Sequence, residues 1–125
     1  MLASLLQVAL GGAVGASLRY LASVGAVRLI GHGFPWATLF VNVLGSLAMG
    51  ALVALLAQKD ATRFAPLLMT GLLGGFTTFS AFSLDAVTLY ERGQIGAAAS
   101  YVTASVVLSI AALFAGMALM KGALQ

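Results

Sequence analysis

The residues best suited to chemistry are the hydroxyls and phenyl rings of the segment Gly74-Gly75-Phe76-Thr77-Thr78-Phe79-Ser80-Ala81-Phe82-Ser83. Two adjacent glycines weaken a helix, and the threonines that follow carry hydroxyls that compete for backbone hydrogen bonds. We therefore predict a local unwinding from Gly74 to Thr77. Carbonyl oxygens freed by unwinding suit a hard monovalent cation, and the N-terminus of the half-helix that follows favours anions.

Phe79 and Phe82 follow this predicted break three residues apart, so they share one helix face, with Ser80 and Ser83 on the neighbouring face. Phenyl rings in a helix are most often core residues. Their edges nevertheless carry partial positive charge, so two rings presented edgewise could contact an anion without holding it tightly. Both interpretations stay open at this point.

The elements that position this segment are membrane helices. Hydrophobic residues make up 62% of the chain and charged residues only 7%, against roughly 45–50% apolar content in soluble domains. The mean hydropathy is +1.09. Four low-charge stretches each meet the length of about 20 residues that a helical span needs: residues 2–24, 36–56, 65–90 and 95–120. Because the connections between them are short, we predict an all-α membrane protein with one four-helix domain over residues 1–125.

Polar side chains within the spans form two helix faces. The residues of each face are spaced four apart, which places them on one side of a helix. They are Thr38, Asn42 and Ser46 on the second span, and Tyr101, Ser105 and Ser109 on the fourth. A lone serine or threonine usually bonds back to its own helix. The amide of Asn42 cannot be satisfied so locally, so it is either an interhelical bond or a pore-lining group.

Small residues recur at spacings that let membrane helices approach closely. They form the pairs Gly11-xxx-Gly15, Gly12-xxx-Ala16 and Ser46-xxx-Gly50, and the cluster Gly71, Gly74 and Gly75. We expect tight packing at these positions. Four helices of this size hardly enclose a pathway by themselves, so a transport role would require an oligomer.

The net charge of +3 is spread over loops and helix ends, which fits lipid headgroups better than nucleic acid. With four spans, one side carries Lys59, Arg63 and Lys121, and the other carries Arg28 and Arg92, joined by Arg19 if it snorkels outward. So small a bias allows insertion in both orientations and an antiparallel pair of subunits. The alternative is a single orientation fixed by some other feature. The absence of cysteine excludes disulfides and thiolate chemistry.

These residues resemble a known family, the small bacterial Fluc (CrcB) fluoride channels, through the GGxTTFSxF segment at Gly74 to Phe82. Supporting matches are Gly15-Ala16-x-x-Arg19-Tyr20 in the first span and Thr38-Leu39-x-Val41-Asn42-x-x-Gly45-Ser46 in the second. The resemblance covers nearly the whole chain. Ala81 stands where the family often has a small hydroxyl residue.

The resemblance implies a multi-pass protein of the bacterial inner membrane, a dual-topology antiparallel homodimer with two passive fluoride pores. The third helix would break near the bilayer midplane, where main-chain oxygens of Gly74 and Thr77 would hold a structural sodium ion. The implied fluoride pathway comprises the rings of Phe79 and Phe82, the donor Asn42, the hydroxyls of Thr78 and Ser80, Arg19 near a vestibule, and Tyr101, Ser105 and Ser109 on the fourth span.

Three other functions are alternatives to a channel. A proton-coupled small-molecule exporter needs an intramembrane carboxylate, and only Asp85 could serve, near the end of its span. A structural or assembly protein would explain the glycine pairs but neither Asn42 nor the predicted break. An enzyme is the weakest alternative, because the chain offers no acid pair within the spans and its one histidine, His32, lies in a loop.

Overall fold

The computed structural model describes residues 1–59 and 62–125, and every regular element in that part is helical. Residues 60 and 61 of the predicted loop 57–64 lie outside the described residues. In chain order the elements are α1 (Leu2–Ile30), α2 (Trp36–Lys59), a 3₁₀ turn (Thr62–Phe64), a π-helix (Pro66–Leu73), α3 (Gly74–Phe76), α4 (Ser80–Glu91) and α5 (Ile95–Leu124).

Four helical segments are long and apolar enough to cross a membrane, which confirms the predicted number of spans. They are Leu2–Ile30, Trp36–Lys59, Thr62–Glu91 and Ile95–Leu124. The first helix runs six residues beyond its predicted end at residue 24, because nothing in residues 25–30 stops it. It ends where Gly31 adopts a φ of 95°, a conformation that favours glycine, and donates its amide to the carbonyl oxygens of Ala26 and Val27.

Glycines let α1 lie directly against the first half of the third span. A Cβ on Gly11 would collide with the carbonyl oxygen of Leu67, and a Cβ on Gly15 with that of Leu72. On the other helix, a Cβ on Gly75 would come within 2.8 Å of the Gly12 carbonyl oxygen. Small residues of these two helices therefore form one seam, which confirms the predicted tight packing at Gly11, Gly15, Gly71 and Gly75. The prediction was wrong at Gly74, which is exposed and whose Cβ would meet only the Met69 carbonyl oxygen, at 3.5 Å.

A second glycine seam joins α2 and α5. A Cβ on Gly50 would collide with the Leu113 carbonyl oxygen, and one on Gly116 with the Leu47 carbonyl oxygen. Only small residues allow two backbones to come this close. Each of the two outer helices of the sequence, α1 and α5, is thus fixed to one inner span.

The buried core at one end of the bundle forms around Tyr101, which is fully buried. Its ring packs against Phe82 and meets the edge of Phe34, with centroid separations of 5.3 and 5.5 Å. Leu89 and Ala98 complete this cluster. The aromatic contacts hold α4 to α5 and to the loop before α2.

After its first 3₁₀ turn, the third span continues as a wide π-helix, which was not predicted from the sequence. Pro66 occupies its start, where a missing amide costs little. The next amide, that of Leu67, donates to the side-chain oxygen of Gln7 on α1 at 3.2 Å. The π-helix then narrows to the short α3, and the chain leaves the helix at Thr77.

Candidate functional site: a polar cavity at the break in the third span

The third span is interrupted at Thr77 to Phe79, near the middle of Thr62–Glu91. Thr77 is extended, with φ −87° and ψ 162°. Its amide and its hydroxyl both donate to the Leu73 carbonyl oxygen, each at 2.9 Å. A break was predicted from Gly74 to Thr77, and that boundary was wrong, because Gly74 and Gly75 remain helical and the break starts at Thr77.

The side-chain amide of Asn42 holds the broken backbone. Its nitrogen donates to the Thr78 carbonyl oxygen at 2.9 Å, and its oxygen accepts the Thr78 amide at 2.8 Å. An asparagine side chain can thus pair with a peptide group as a neighbouring backbone would. Of the two roles left open for Asn42, the interhelical bond is therefore present in the structure. One amide hydrogen remains beyond the bond to Thr78.

This pairing frees the Gly74 carbonyl oxygen. In a continuous helix the Thr78 amide would donate to that oxygen, but here it donates to Asn42. The next carbonyl oxygen, that of Gly75, accepts the Nε–H of Arg19 at 3.1 Å. A guanidinium at the C-terminal end of a helical segment also meets the negative end of its dipole.

The Arg19 side chain is therefore directed into the protein. It does not snorkel outward to join the cations on one side of the membrane. The reason is that α1 continues to Ile30, which places Arg19 well inside the helix. Its side chain is half-buried and bonded to the neighbouring span.

Thr78 also starts the second half of the span. Its hydroxyl oxygen accepts the amide of Ala81 at 3.1 Å, one of the first-turn amides for which the helix itself provides no acceptor. The Ser80 hydroxyl lies 3.4 Å from the same oxygen, and the Ser83 hydroxyl donates back to the Phe79 carbonyl oxygen at 3.0 Å. The hydroxyls of Thr78, within the break, and of Ser83, after it, thus stabilise α4.

A cavity of about 550 Å³ lies beside the break, between α2, the third span and α5. Eight of the predicted site residues line it: Asn42, Gly74, Thr77, Thr78, Phe79, Phe82, Ser105 and Ser109. Three do not: Arg19, Ser80 and Tyr101. The sequence reasoning missed an apolar part of the lining formed by Met49, Val106, Ile110 and Leu113. The helical spacing of Ser105, Ser109 and Leu113 could have indicated the last of these.

The two phenyl rings meet at the cavity but differ in exposure. Their centroids are 5.5 Å apart and their planes are inclined at 46°. Phe82 is 9% exposed and packs on Tyr101, whereas Phe79 is 76% exposed. Phe82 is therefore partly a core residue, and Phe79 is not a core residue of the single chain.

The hydroxyls of Ser105 and Ser109 are buried and have no hydrogen-bond partner among the described residues. Ser17, in contrast, donates to the carbonyl oxygen one turn back, which is the ordinary outcome for a membrane serine. An unpaired buried hydroxyl is costly, and these two line the cavity, so both are available to hydrogen-bond to a molecule or ion that occupies it.

Tyr101 lies behind the cavity. Its hydroxyl donates to Asp85 Oδ2 at 3.1 Å, and its ring separates that carboxylate from the cavity lining at Phe82. Within residues 1–59 and 62–125, no group of three or more His, Asp or Glu side chains is placed to bind a metal. Neutral oxygen atoms are the cation ligands that this region offers.

Together these features define a four-span integral membrane protein whose third helix is interrupted beside a polar, phenyl-lined cavity. Residues 6–117 match the family described as CrcB-like protein, Camphor Resistance (CrcB). The chain is 67% identical over 122 residues to a protein of Cereibacter sphaeroides named Fluoride-specific ion channel FluC, covering 98% of each chain. Proteins of the same name from Ruegeria sp. and Paracoccus denitrificans are 59% and 57% identical, covering 99% and 94% of each chain.

The chain therefore belongs to the CrcB-like family, which confirms the resemblance inferred from the segment Gly74 to Phe82. Membership in a family of channels also confirms that the protein is not an enzyme. The four spans and the bacterial relatives confirm the expected location in a bacterial cell membrane.

Proposed function

We propose that this protein is a fluoride-selective channel that lets fluoride leave the cell passively. The observation that carries the proposal is the 67% identity, over 98% of both chains, to a protein named Fluoride-specific ion channel FluC. The cavity beside the broken third span is the proposed site of passage.

Fluoride is small, strongly hydrated and a strong hydrogen-bond acceptor, so a pathway must replace its water with donors. Ser105 and Ser109 supply hydroxyls with no protein partner among the described residues, and both line the cavity. Asn42 supplies the amide hydrogen that remains beyond its bond to the Thr78 carbonyl oxygen. Chloride, which is larger and a weaker acceptor, gains less from such donors.

The rings of Phe79 and Phe82 complete the proposed pathway. Their inclined planes allow ring edges, which carry partial positive charge, to face an anion between donors. A contact of this kind attracts the ion weakly. Weak contact matters because a conducting ion must leave each site as readily as it enters.

The remaining pathway residues have supporting roles in this proposal. Thr78 and Ser80 contribute hydroxyl groups at the start of α4, and their oxygen atoms lie 3.4 Å apart. Arg19 supplies positive charge beside the break through its bond to the Gly75 carbonyl oxygen. Tyr101 supports Phe82 from behind and directs its own hydroxyl to Asp85.

The functional unit is proposed to be an antiparallel homodimer with two pores, each chain contributing a single four-helix domain over residues 1–125. The exposure of Gly74 and Phe79 on the cavity rim supports this assembly, since a second copy would close the cavity there. The nearly equal cation counts on the two sides support dual topology. The other apolar surfaces would face lipid.

We further propose that a structural sodium ion is held at the breaks of the two subunits by the carbonyl oxygens of Gly74 and Thr77. The Gly74 oxygen has lost its helical donor, and Thr77 is extended, so both groups are free of the usual helical arrangement. Neutral oxygens are ligands that a hard monovalent cation accepts. When bound, the ion would supply positive charge near the anion pathway.

Fluoride efflux from liposomes that contain the purified protein tests the proposed function, with chloride-loaded liposomes as the comparison. Rapid loss of fluoride without loss of chloride is expected. Equal rates for both ions, or no release above empty liposomes, would refute it. The exporter alternative gives a different result, because its transport would follow an imposed proton gradient and stop when Asp85 is neutralised.

A further inference from the structure

A second cavity, of about 220 Å³, lies at one end of the bundle, between the loop 31–35, the start of α2 and the end of α4. Its lining includes one acid, one permanent cation and the single histidine, contributed by Asp85, Arg92 and His32. Hydroxyls of Thr38 and Thr88 also line it. None of the roles proposed above uses Arg92 or His32.

A chain of side-chain contacts through Tyr101 links the lining of the second cavity to that of the first. Asp85, in the second cavity, accepts the Tyr101 hydroxyl at 3.1 Å. The Tyr101 ring packs on Phe82 with centroids 5.3 Å apart, and Phe82 lines the first cavity. An ion that enters the second cavity is therefore one aromatic layer away from the proposed site of passage.

The charges of the second cavity oppose each other. The Asp85 carboxylate is half-buried at its inner end, where it would repel an approaching anion. Arg92, just after α4, is exposed to solvent. Both charges line one cavity of about 220 Å³, and at low ionic strength, where the Debye length exceeds about 10 Å, an ion in that cavity feels both.

We propose that the second cavity is the entrance through which a small monovalent anion reaches the pathway at this end of the molecule, and that Arg92 offsets the repulsion of Asp85 there. The inference rests on the proposed fluoride conduction. It assigns to Arg92 an effect on the rate of entry and no part in holding the helices together.

The test measures the initial fluoride flux through the reconstituted full-length protein at sub-saturating fluoride, at low and at high ionic strength. The pH is the same in every measurement, so that only the substitutions and the salt concentration change the electrostatics of the cavity. The variants are Arg92→Gln, Arg92→Lys, Asp85→Asn and the double variant Arg92→Gln with Asp85→Asn. Arg28→Gln is the matched control, because Arg28 is exposed in the last turn of α1 and does not line the cavity.

At low ionic strength Arg92→Gln should reduce flux roughly three- to tenfold, the size expected for electrostatic focusing, and high salt should abolish most of the difference. Arg92→Lys should keep wild-type flux. Asp85→Asn should raise flux, because its amide oxygen still accepts the Tyr101 hydroxyl while the negative charge is gone. The double variant should return close to wild type.

Several outcomes would overturn the inference. Flux through Arg92→Gln equal to that of the Arg28→Gln control would place the cavity off the pathway. An equal loss at both ionic strengths would make Arg92 structural. If Arg92→Gln does not assemble, unchanged or lowered flux through Asp85→Asn at low salt would refute the proposal. Absence of fluoride flux in the wild type would instead refute the proposed function.

Discussion

The Asn42 side chain and the Thr78 peptide group form a reciprocal pair of hydrogen bonds, 2.9 and 2.8 Å long, across the interface of the second and third spans. This pair satisfies backbone groups that the break would otherwise leave without partners in the membrane, where such groups are costly. The same residue lines the cavity. One amide therefore stabilises the break and faces the proposed pathway.

Replacing Asn42 should affect both roles. We expect Asn42→Asp to abolish fluoride flux, because it removes the donor and places a negative charge on the anion's path. Asn42→Ala should lower flux more than tenfold and destabilise the protein by about 2 kcal/mol, since two modest hydrogen bonds are lost. Liposome flux and thermal unfolding in detergent measure the two effects.

Gln7→Ala is the matched control for the Asn42 variants, because Gln7 also accepts a backbone amide of the third span but does not line the cavity. It should lose stability and keep its flux per folded dimer. Wild-type flux through Asn42→Asp would remove Asn42 from the pathway and leave it as interhelical packing.

The unequal exposure of the phenyl rings separates their contributions. Phe79→Ala should reduce fluoride flux with little change in the stability of the single chain, because the ring is 76% exposed. Phe82→Ala should reduce flux and also destabilise the fold by about 3 kcal/mol, the usual cost of truncating a buried phenylalanine.

Phe114→Ala, at another exposed ring that does not line the cavity, controls for the loss of surface area from the membrane face. Reconstituted flux and the dimer fraction in detergent are the two measurements. If removing both Phe79 and Phe82 leaves flux normal, or only separates the subunits, the rings are packing residues.

Prolonged equilibration without sodium should lower fluoride flux, and added sodium should restore it without any sodium current. The reason is that the Gly74 and Thr77 carbonyl oxygens would repel each other when no cation lies between them. Melting temperature against sodium concentration gives a second readout, which should rise with sodium and not with N-methylglucamine. Undiminished flux after thorough depletion would contradict the proposed ion.

The α2–α5 seam can be tested with two glycines of the same helix. Gly116→Ala should destabilise the protein by about 1–3 kcal/mol, since its Cβ would overlap the Leu47 carbonyl oxygen and force the backbones apart. Gly122→Ala should be neutral or slightly stabilising, because open space surrounds that position and alanine favours helix. Equal melting temperatures for the two variants would show that the seam contributes nothing.

The sequence alone was enough to predict the class, the number of spans and the segment that carries the site. Length and hydropathy decide whether a stretch can cross a bilayer, and both are local properties of the chain. The polar face of Asn42 and Ser46, and that of Ser105 and Ser109, followed from helical periodicity in the same way. The structure brings these four residues to one cavity, whereas Thr38 of the first face lines the second cavity and Tyr101 of the second face lies in the buried core.

Where the helix breaks was decided by tertiary contacts. The low helix propensity of glycine placed the predicted break at Gly74. Gly75 nevertheless stays helical and packs against α1, where a side chain on Gly75 would force the two helices apart. The chain leaves the helix at Thr77, where Asn42 can take over the bonds of Thr78. Propensity is a small local preference, and a well-placed partner from another helix outweighs it.

Arg19 shows the same division. Its charge and its place in the first span were evident from the chain, but whether it would reach water or the protein interior depended on what lay opposite. The break leaves the Gly75 carbonyl oxygen without a helical donor opposite Arg19, and Arg19 donates to it. The hydroxyls of Ser105 and Ser109 are unpaired, and neighbours distant in the sequence decide this as well. Hydrogen bonding depends on proximity in three dimensions, which a sequence pattern does not contain.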